Sequence, residues 1–419
     1  MRIKSSMIVV SVVTALALSG CTGTDANQES SAAPAPKAGA ALTIAKPDGA
    51  IATESNNPWV GDSSGLKLGY INEILEPLAM VNTIDPSAPV IPWLASEIKW
   101  ADDYKSVTVT ARDGVKWNDG EDFTADDIVY SYQMLIDHPE LDTAALGLDS
   151  VKGDGKTATL NFKESMYVKT DKVLMRFIVP KHVWENVADP ATDTNMEPVG
   201  TGPYVLSQFT TQSVTLTART DYWGGELAVP TLYFVSYNDN TALTTALASG
   251  EADWAQAFIP NVESAFISKD ADHNVPELTS VTGLPTPVGD SFIIDDFKGQ
   301  NYTIDVDGAR KVLGDAGYTW NGDQLVDPSG EDVTFTIQVP QGWSDYVTGI
   351  SLIADGVKPL GVTAQVNTPD SDTWWADKSN GNFQAILHWT DSGLTPWDLY
   401  SNIMDGKWLK PVGESADHN

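Results

Sequence analysis

The chain of 419 residues carries 25 Lys and Arg against 57 Asp and Glu, a formal net charge of −32, and 42% of its residues are hydrophobic. That balance argues against nucleic acid as a partner, since phosphates would be repelled and no basic patch is visible, and it disfavours an acidic surface. One cysteine in the whole chain rules out an intrachain disulfide, and the length suggests two or more lobes.

The first elements concern export. Arg2 and Lys4 precede an apolar run at residues 7–18. The run is too short to cross a bilayer as a mature helix, so residues 1–21 read as a secretion signal. It ends in Leu18-Ser19-Gly20-Cys21, small residues before a cysteine, which looks like a bacterial lipobox and predicts lipidation of Cys21. Residues 22–41 are rich in Ala, Ser and Pro and cannot bury enough apolar surface to fold, so a flexible tether is expected there. From about residue 42 the chain reads as globular, with no later segment long enough to cross a membrane.

Residues 41–45 read as a first strand, and residues 69–79 as a short helix with Ile71, Leu75 and Leu78 on one face. Val107, Val109 and Ala111 then alternate with Thr108, Thr110 and Arg112, as in a strand with one buried face. Arg112-Asp113-Gly114 and Asn118-Asp119-Gly120 are turn chemistry. Thr124 stands where an N-cap belongs, Asp126 and Asp127 occupy a first turn, and Ile128, Tyr132 and Leu135 repeat at helical spacing. A strand at 157–162 and a helix at 180–187, with Pro180 at its start, come next. Gly200 and Gly202 hint at a phosphate loop, but Pro203 follows and no Gly-Lys-Ser/Thr is present. Leu243 begins a helix closed by Gly250, ahead of a strand entered through Ala252 and Trp254. In the last third a helix over 307–316 is stopped by Gly317. Strand 333–339, helix 346–358 and strand 361–366 then form a parallel βαβ unit. A helix at 371–378 and a strand at 383–389 complete the series.

Catalytic patterns are weak. Gly61-Asp62-Ser63-Ser64-Gly65 spells G-x-S-x-G, yet it lies in a polar loop, where a nucleophile elbow would sit between a buried strand and a helix. The five histidines are far apart and show no metal-binding spacing. Asp305-Val306-Asp307-Gly308 begins like a calcium loop but lacks the later ligands, so a helix start is the better reading. Nothing in the spacing of the many acids selects a catalytic pair. The 14 tryptophans are a better clue, because several, including Trp59, Trp343, Trp374, Trp375, Trp389 and Trp397, fall in loops or at element ends. A flat indole stacks on a sugar ring or on the planar groups of a peptide.

Whole phrases point further. Pro92-Trp93-Leu94-Ala95 with Trp100, RDGVKWNDG at 112–120 and FTADDIVYSY at 123–132 closely resemble the signature region of the peptide-type, family 5 solute-binding proteins of bacterial ABC importers. So do Asn72-Glu73-Ile74-Leu75-Glu76-Pro77-Leu78, GTGPY at 200–204 and YWGG at 222–225. The resemblance covers nearly all of residues 42–408. It implies an α/β, two-lobed periplasmic-binding-protein-like fold of type II, in the large variant with an extra subdomain in the first lobe. The first lobe is expected at 42–255 and the second at 256–419. The Arg-rich helix usual after the hinge is missing, since Asn274 runs into Val275-Pro276, and the chain stops at Asn419 where relatives return to the first lobe. The second lobe is therefore expected to be incomplete.

The resemblance also implies a function. A monomer, held to the outer face of the cell membrane by its lipid alone, captures a solute in the cleft between lobes and delivers it to an ABC permease and its ATPase subunits. No cofactor, metal or catalytic residue is implied. The family's usual solute is a short peptide. Thr395-Pro396-Trp397 leans toward its oligosaccharide-binding branch, and a secreted hydrolase is the alternative from another class. His388-Trp389-Thr390-Asp391 resembles the loop whose acidic residue holds a peptide's α-amino group, which makes Asp391 the expected ligand contact. Trp389, Trp397, Trp59 and Trp375 are the expected stacking residues.

Overall fold

The computed structural model describes residues 41–47, 49, 51–83, 85, 87–269, 288–298, 303–388, 395–404, 411 and 414. The signal, Cys21, residues 22–40 of the expected tether, Trp389 and Asp391 lie outside them, and residue 41 belongs to the first strand. No described helix is long and apolar enough to cross a membrane.

Strand β1 (Ala41–Lys46) opens the chain and is left behind while a separate antiparallel sheet is built. That sheet holds β2 (Ala95–Trp100), β3 (Ser106–Ala111), β4 (Leu148–Asp154) and β5 (Thr157–Phe162), in spatial order β2-β3-β5-β4. Val107 and Val109 of β3 lie opposite Leu160 and Ala158 of β5, and all four are fully buried, so the alternation in the sequence marks the inner face. Helix α1 (Ala125–Asp137) covers this face with Ile128, Tyr132 and Leu135.

The start of α1 is reciprocally capped. Asp126 N donates to Thr124 Oγ1 at 3.2 Å, and Thr124 N donates to Asp127 Oδ2 at 2.8 Å. Asp127 Oδ1 also accepts from Lys181 N at 2.9 Å, so one carboxylate caps α1 and the short helix Lys181–Trp184 together. Burial pushes the Asp127 carboxyl above its ordinary range in spite of these bonds. Replacing Thr124 by Ala is expected to cost about 1 kcal/mol of stability. Urea unfolding checks this, and an unchanged midpoint would mean the cap contributes nothing.

The chain then rejoins β1. Strands β6 (Tyr204–Phe209), β7 (Ser213–Ala218) and β8 (Thr231–Ser236) form a meander, α2 (Asn240–Ser249) follows, and β9 (Trp254–Ala255) pairs on the far side of β1. The order is β9-β1-β8-β7-β6, with β1 parallel to both β8 and β9. One hydrophobic core runs from this sheet into the antiparallel one. Gly250 ends α2 in the left-handed conformation, φ 74°, as the sequence leads one to expect.

Beyond α3 (Val306–Asp315) a wholly parallel sheet forms from β10 (Thr334–Gln338), β11 (Thr363–Asn367) and β12 (Ala385–Ile386), with β10 central. Helix α4 (Ser344–Val357) links β10 to β11, and α5 (Ser371–Asn380) links β11 to β12. The expected parallel βαβ unit is present, in register from Thr334↔Thr363 to Gln338↔Asn367. Helix α6 (Pro396–Met404) is the last described element of regular structure.

One expected element is not formed. Residues 69–79 are not a helix: a single 3₁₀ turn, Tyr70–Glu73, follows Gly69 at φ 82°. The carbonyls that a longer helix would use are taken from outside it. Ile74 O accepts from Gly202 N at 2.9 Å, Glu76 O from Ile178 N at 3.1 Å, and Leu78 O from Trp93 N at 2.9 Å. Tertiary partners win over local periodicity here.

Candidate functional site

The family-like phrases converge on one knot in the first lobe. Gly200 and Gly202 press against Ile74, so close that a Cβ on either would come within 2.7 Å of the Ile74 carbonyl carbon. Asn118 of the NDG turn brackets Gly200, donating its N to Gly200 O at 2.9 Å and accepting from Gly200 N at 3.2 Å. Arg219, 7% exposed, donates to the carbonyls of Lys116, Trp117, Gly200 and Gly202 at 3.2–3.4 Å, and to Asp221. The Arg219 guanidinium holds the Asp221 carboxyl below its ordinary range. Beside it, buried Glu76 accepts from Tyr222 OH at 2.6 Å, Trp93 Nε1 at 2.7 Å and Trp223 Nε1 at 2.8 Å. The charged groups at the knot's centre, Arg219 and Glu76, are each held by several hydrogen bonds. The knot is scaffold.

The more open arrangement lies at the strand ends. Trp343 follows the carboxyl end of β10, Trp374 and Trp375 that of β11, and His388 that of β12. Trp343 and Trp375 stand edge-on to fully buried Trp374, centroids 5.2 and 5.0 Å away, while the His388 ring lies parallel to it at 5.6 Å. Lys378 Nζ sits 4.8 Å from the Trp375 ring centroid. The same end of this sheet meets the first lobe. Asn240 Nδ2, at the start of α2, donates to Asp345 Oδ1 at 3.1 Å, at the start of α4. A Cβ on Gly342 would come 3.1 Å from Asn238 O, so the two backbones nearly touch. Desolvation raises the Asp345 carboxyl. Carboxyl ends of parallel strands from both sheets thus meet at one junction, where open α/β folds bind ligands, and half-buried aromatic rings stand beside it.

Residues 89–284 and 277–409 match the family described as bacterial extracellular solute-binding proteins, family 5. The chain belongs to that family. Among relatives, this family 5 protein is 27% identical to Protein XP55 of Streptomyces lividans over 354 residues, 72% of its own length and 63% of that protein's. It is 24% identical to the oligopeptide-binding protein AppA of Bacillus subtilis, over 98% of the chain and 86% of AppA. It spans less than two thirds of the first relatives, 63% of Protein XP55 and 29% of a probable peptide-binding protein of Agrobacterium fabrum. In structure it is similar to a mannohexaose-bound periplasmic oligopeptide-binding protein of Thermotoga maritima, with TM-score 0.74 at 19% identity, covering 91% of this chain and 82% of that one. AppA in complex with a nonapeptide gives TM-score 0.63 at 19% identity, over 84% and 79% of the two chains. The two-lobed α/β fold is that of this family 5 group.

The candidate residues fall in different places. Trp375 stands in the aromatic group of the junction. Trp59 does not: it is 6% exposed in the first-lobe core, edge-on to Trp184 at 6.3 Å and under the Arg176 guanidinium at 4.5 Å. Its loop setting in the sequence concealed a packing role. Trp397 lies in the first turn of α6, its ring 5.0 Å from Lys169 Nζ. Thr395-Pro396 is the start of that helix, with Asp398 Oδ2 accepting from Thr395 N at 3.0 Å. Ser63 is a buried cap, its Oγ accepting from Leu66 N at 3.4 Å, and Asp305 likewise caps α3. Asp345 and Asn240 escaped sequence reasoning, since a lone Asp and Asn at two helix starts read as caps.

Proposed function

We propose that this family 5 protein is the solute-capturing subunit of a bacterial ABC importer, exported behind the signal at 1–21 and anchored through lipid on Cys21. Its lobes, 42–255 and 256–419, close about a hinge on a short peptide and present it to a permease and ATPase. The observation that carries this is the meeting of strand carboxyl ends from both sheets beside a half-buried aromatic group. The names of relatives such as AppA support peptide as the solute. In this reading Asp391 faces the peptide's ammonium group and Trp375 and Trp389 stack on its planar groups. Trp59 is left out because it is packed inside. Three indoles so close together favour a second reading, an oligosaccharide, which stacks on such rings. A hydrolase is disfavoured by Ser63, whose hydroxyl is spent on a buried helix cap.

A thermal-shift screen of di- to pentapeptides against cello-, xylo- and manno-oligosaccharides separates the two. A ligand at 100 times its Kd stabilises the folded state by about 2.7 kcal/mol, a shift of several degrees. A charge-assisted hydrogen bond is worth roughly 1.5–3 kcal/mol, so Asp391→Ala is expected to weaken peptide binding by about 10- to 100-fold. A neutral sugar would lose far less from that change and more from Trp375→Ala. Peptide hits indifferent to Asp391→Ala would overturn the site, and sugar-only hits would overturn the peptide reading.

A further inference from the structure

Resting on the reading that the two lobes open and close around a solute, we propose that the first turn of α6 and the segment 169–172 form a clasp that holds them closed. Helix α6 follows β12 of the second sheet, whereas residues 169–172 lie between the two sheets of the first lobe.

In the first half of the clasp, first-lobe carbonyls hold the lysine. Lys169 is 7% exposed, and its ammonium donates to the carbonyls of Ala144 at 3.0 Å and Ala145 at 2.6 Å. Ala145 holds a left-handed backbone, φ 49°, which an L-residue adopts only where its surroundings insist. Asp142 supplies that insistence, accepting from Leu146 N at 2.9 Å and Gly147 N at 3.0 Å. The carbonyl cradle, and with it the lysine, is therefore set in position independently of α6.

The second half has internal bonds of its own. Asp398 Oδ2 accepts from Thr395 N at 3.0 Å and Thr395 Oγ1 at 3.1 Å, closing the start of α6. Its Oδ1 has no hydrogen bond among the described residues and lies 3.8 Å from Lys172 Nζ, an ammonium also 3.5 Å from Asp171 Oδ2. Across the same join, Lys169 Nζ lies 5.0 Å from the centroid of the Trp397 ring. An ammonium with two hydrogens bound to carbonyls thus meets a π face, and a carboxylate only 3% exposed meets a lysine.

Each half keeps its own hydrogen bonds when the halves part. Opening loses the attraction across the join, and water rehydrates the released charges in return. Such a contact is strong enough to bias a two-state equilibrium and weak enough to let go, which suits a cycle of capture and release. It also gives Trp397 a role other than solute stacking.

The test is small-angle X-ray scattering on the ligand-free full chain, with Trp397→Leu and Lys172→Gln. Neither change removes the donor to the Ala144 and Ala145 carbonyls. Each is expected to shift the open-to-closed ratio by about 3- to 30-fold toward open, the range of one partly desolvated cation–π or ion-pair contact, seen as a larger radius of gyration. Lys169→Arg keeps a cation over the ring and should scatter as wild type. Unchanged scattering in two variants that melt like wild type would overturn the clasp. A scattering change with no solute found in either ligand class would sustain the clasp and sink the solute-binding reading, so the two failures are distinguishable.

Discussion

Gly200→Ala is expected to abolish folding of the first lobe. The added Cβ would overlap the Ile74 carbonyl, 2.7 Å from its carbon, and neither side is free to withdraw. Gly200 is bracketed by Asn118 through its own N and O. Ile74 is fully buried, and its carbonyl already accepts from Gly202 N. A clash between pinned backbones differs from ordinary overpacking, which costs about 1–3 kcal/mol because side chains give way. The knot instead has to come apart, with the core that both first-lobe sheets share. The measurement is soluble yield and far-UV circular dichroism. Gly314→Ala is the control: it lies on α3 with open space around its Cβ, and helix propensity favours the change by up to about 1 kcal/mol. Soluble Gly200→Ala with a wild-type melt would show that the close approach has no structural weight.

Arg219→Met is expected to cost about 1–3 kcal/mol, the range for leaving buried polar groups without a partner, since the Asp221 carboxylate it also releases is largely exposed. Methionine fills much of the volume, so the loss is chiefly polar. Four carbonyls, those of Lys116, Trp117, Gly200 and Gly202, lose a donor inside the protein, although Trp117 O keeps Gly120 N and Gly200 O keeps Asn118 N. Arg219→Lys should fall between, because one ammonium cannot fan out to carbonyls on two segments as a guanidinium does. The pH dependence provides a second readout. The Asp221 carboxyl is held below its ordinary value of 3.8, first by the hydrogen bond from Arg219. A depressed carboxyl contributes stability that is fully present above the unfolded-state value and lost as pH falls through the folded one. Wild type should therefore shed that contribution below pH 3.8, whereas Arg219→Met should not. Equal stability of wild type and Arg219→Met at neutral pH would refute this account of the knot.

Much of the architecture was legible from local chemistry alone. The alternation of Val107, Val109 and Ala111, the Thr124 cap and the glycine stops at Gly250 and Gly317 depend on neighbours a few residues away, and each appears where expected. The parallel βαβ unit was readable for the same reason: a strand, a dozen helical residues and a strand admit few arrangements. The phrases that mark the family were legible too, but not their work. Nothing near Arg219 in the sequence says that its partners are Lys116 and Gly200, because a guanidinium chooses carbonyls by proximity in space.

The site divides along the same line. The tryptophan-rich chemistry of 343, 374 and 375 is written in the chain, since indole surface is a property of the residue. Which indole is buried, which borders the junction and which meets a lysine are properties of the fold. Trp59 sits in a polar loop by sequence and in the core by structure, and Trp397 follows a Thr-Pro that turned out to be a helix start. The failed helix at 69–79 states the rule most plainly. Its apolar spacing is helical, but Gly202, Ile178 and Trp93 claim its carbonyls from 15 to 128 positions away, and bonds made at that range are decided only when the chain is folded.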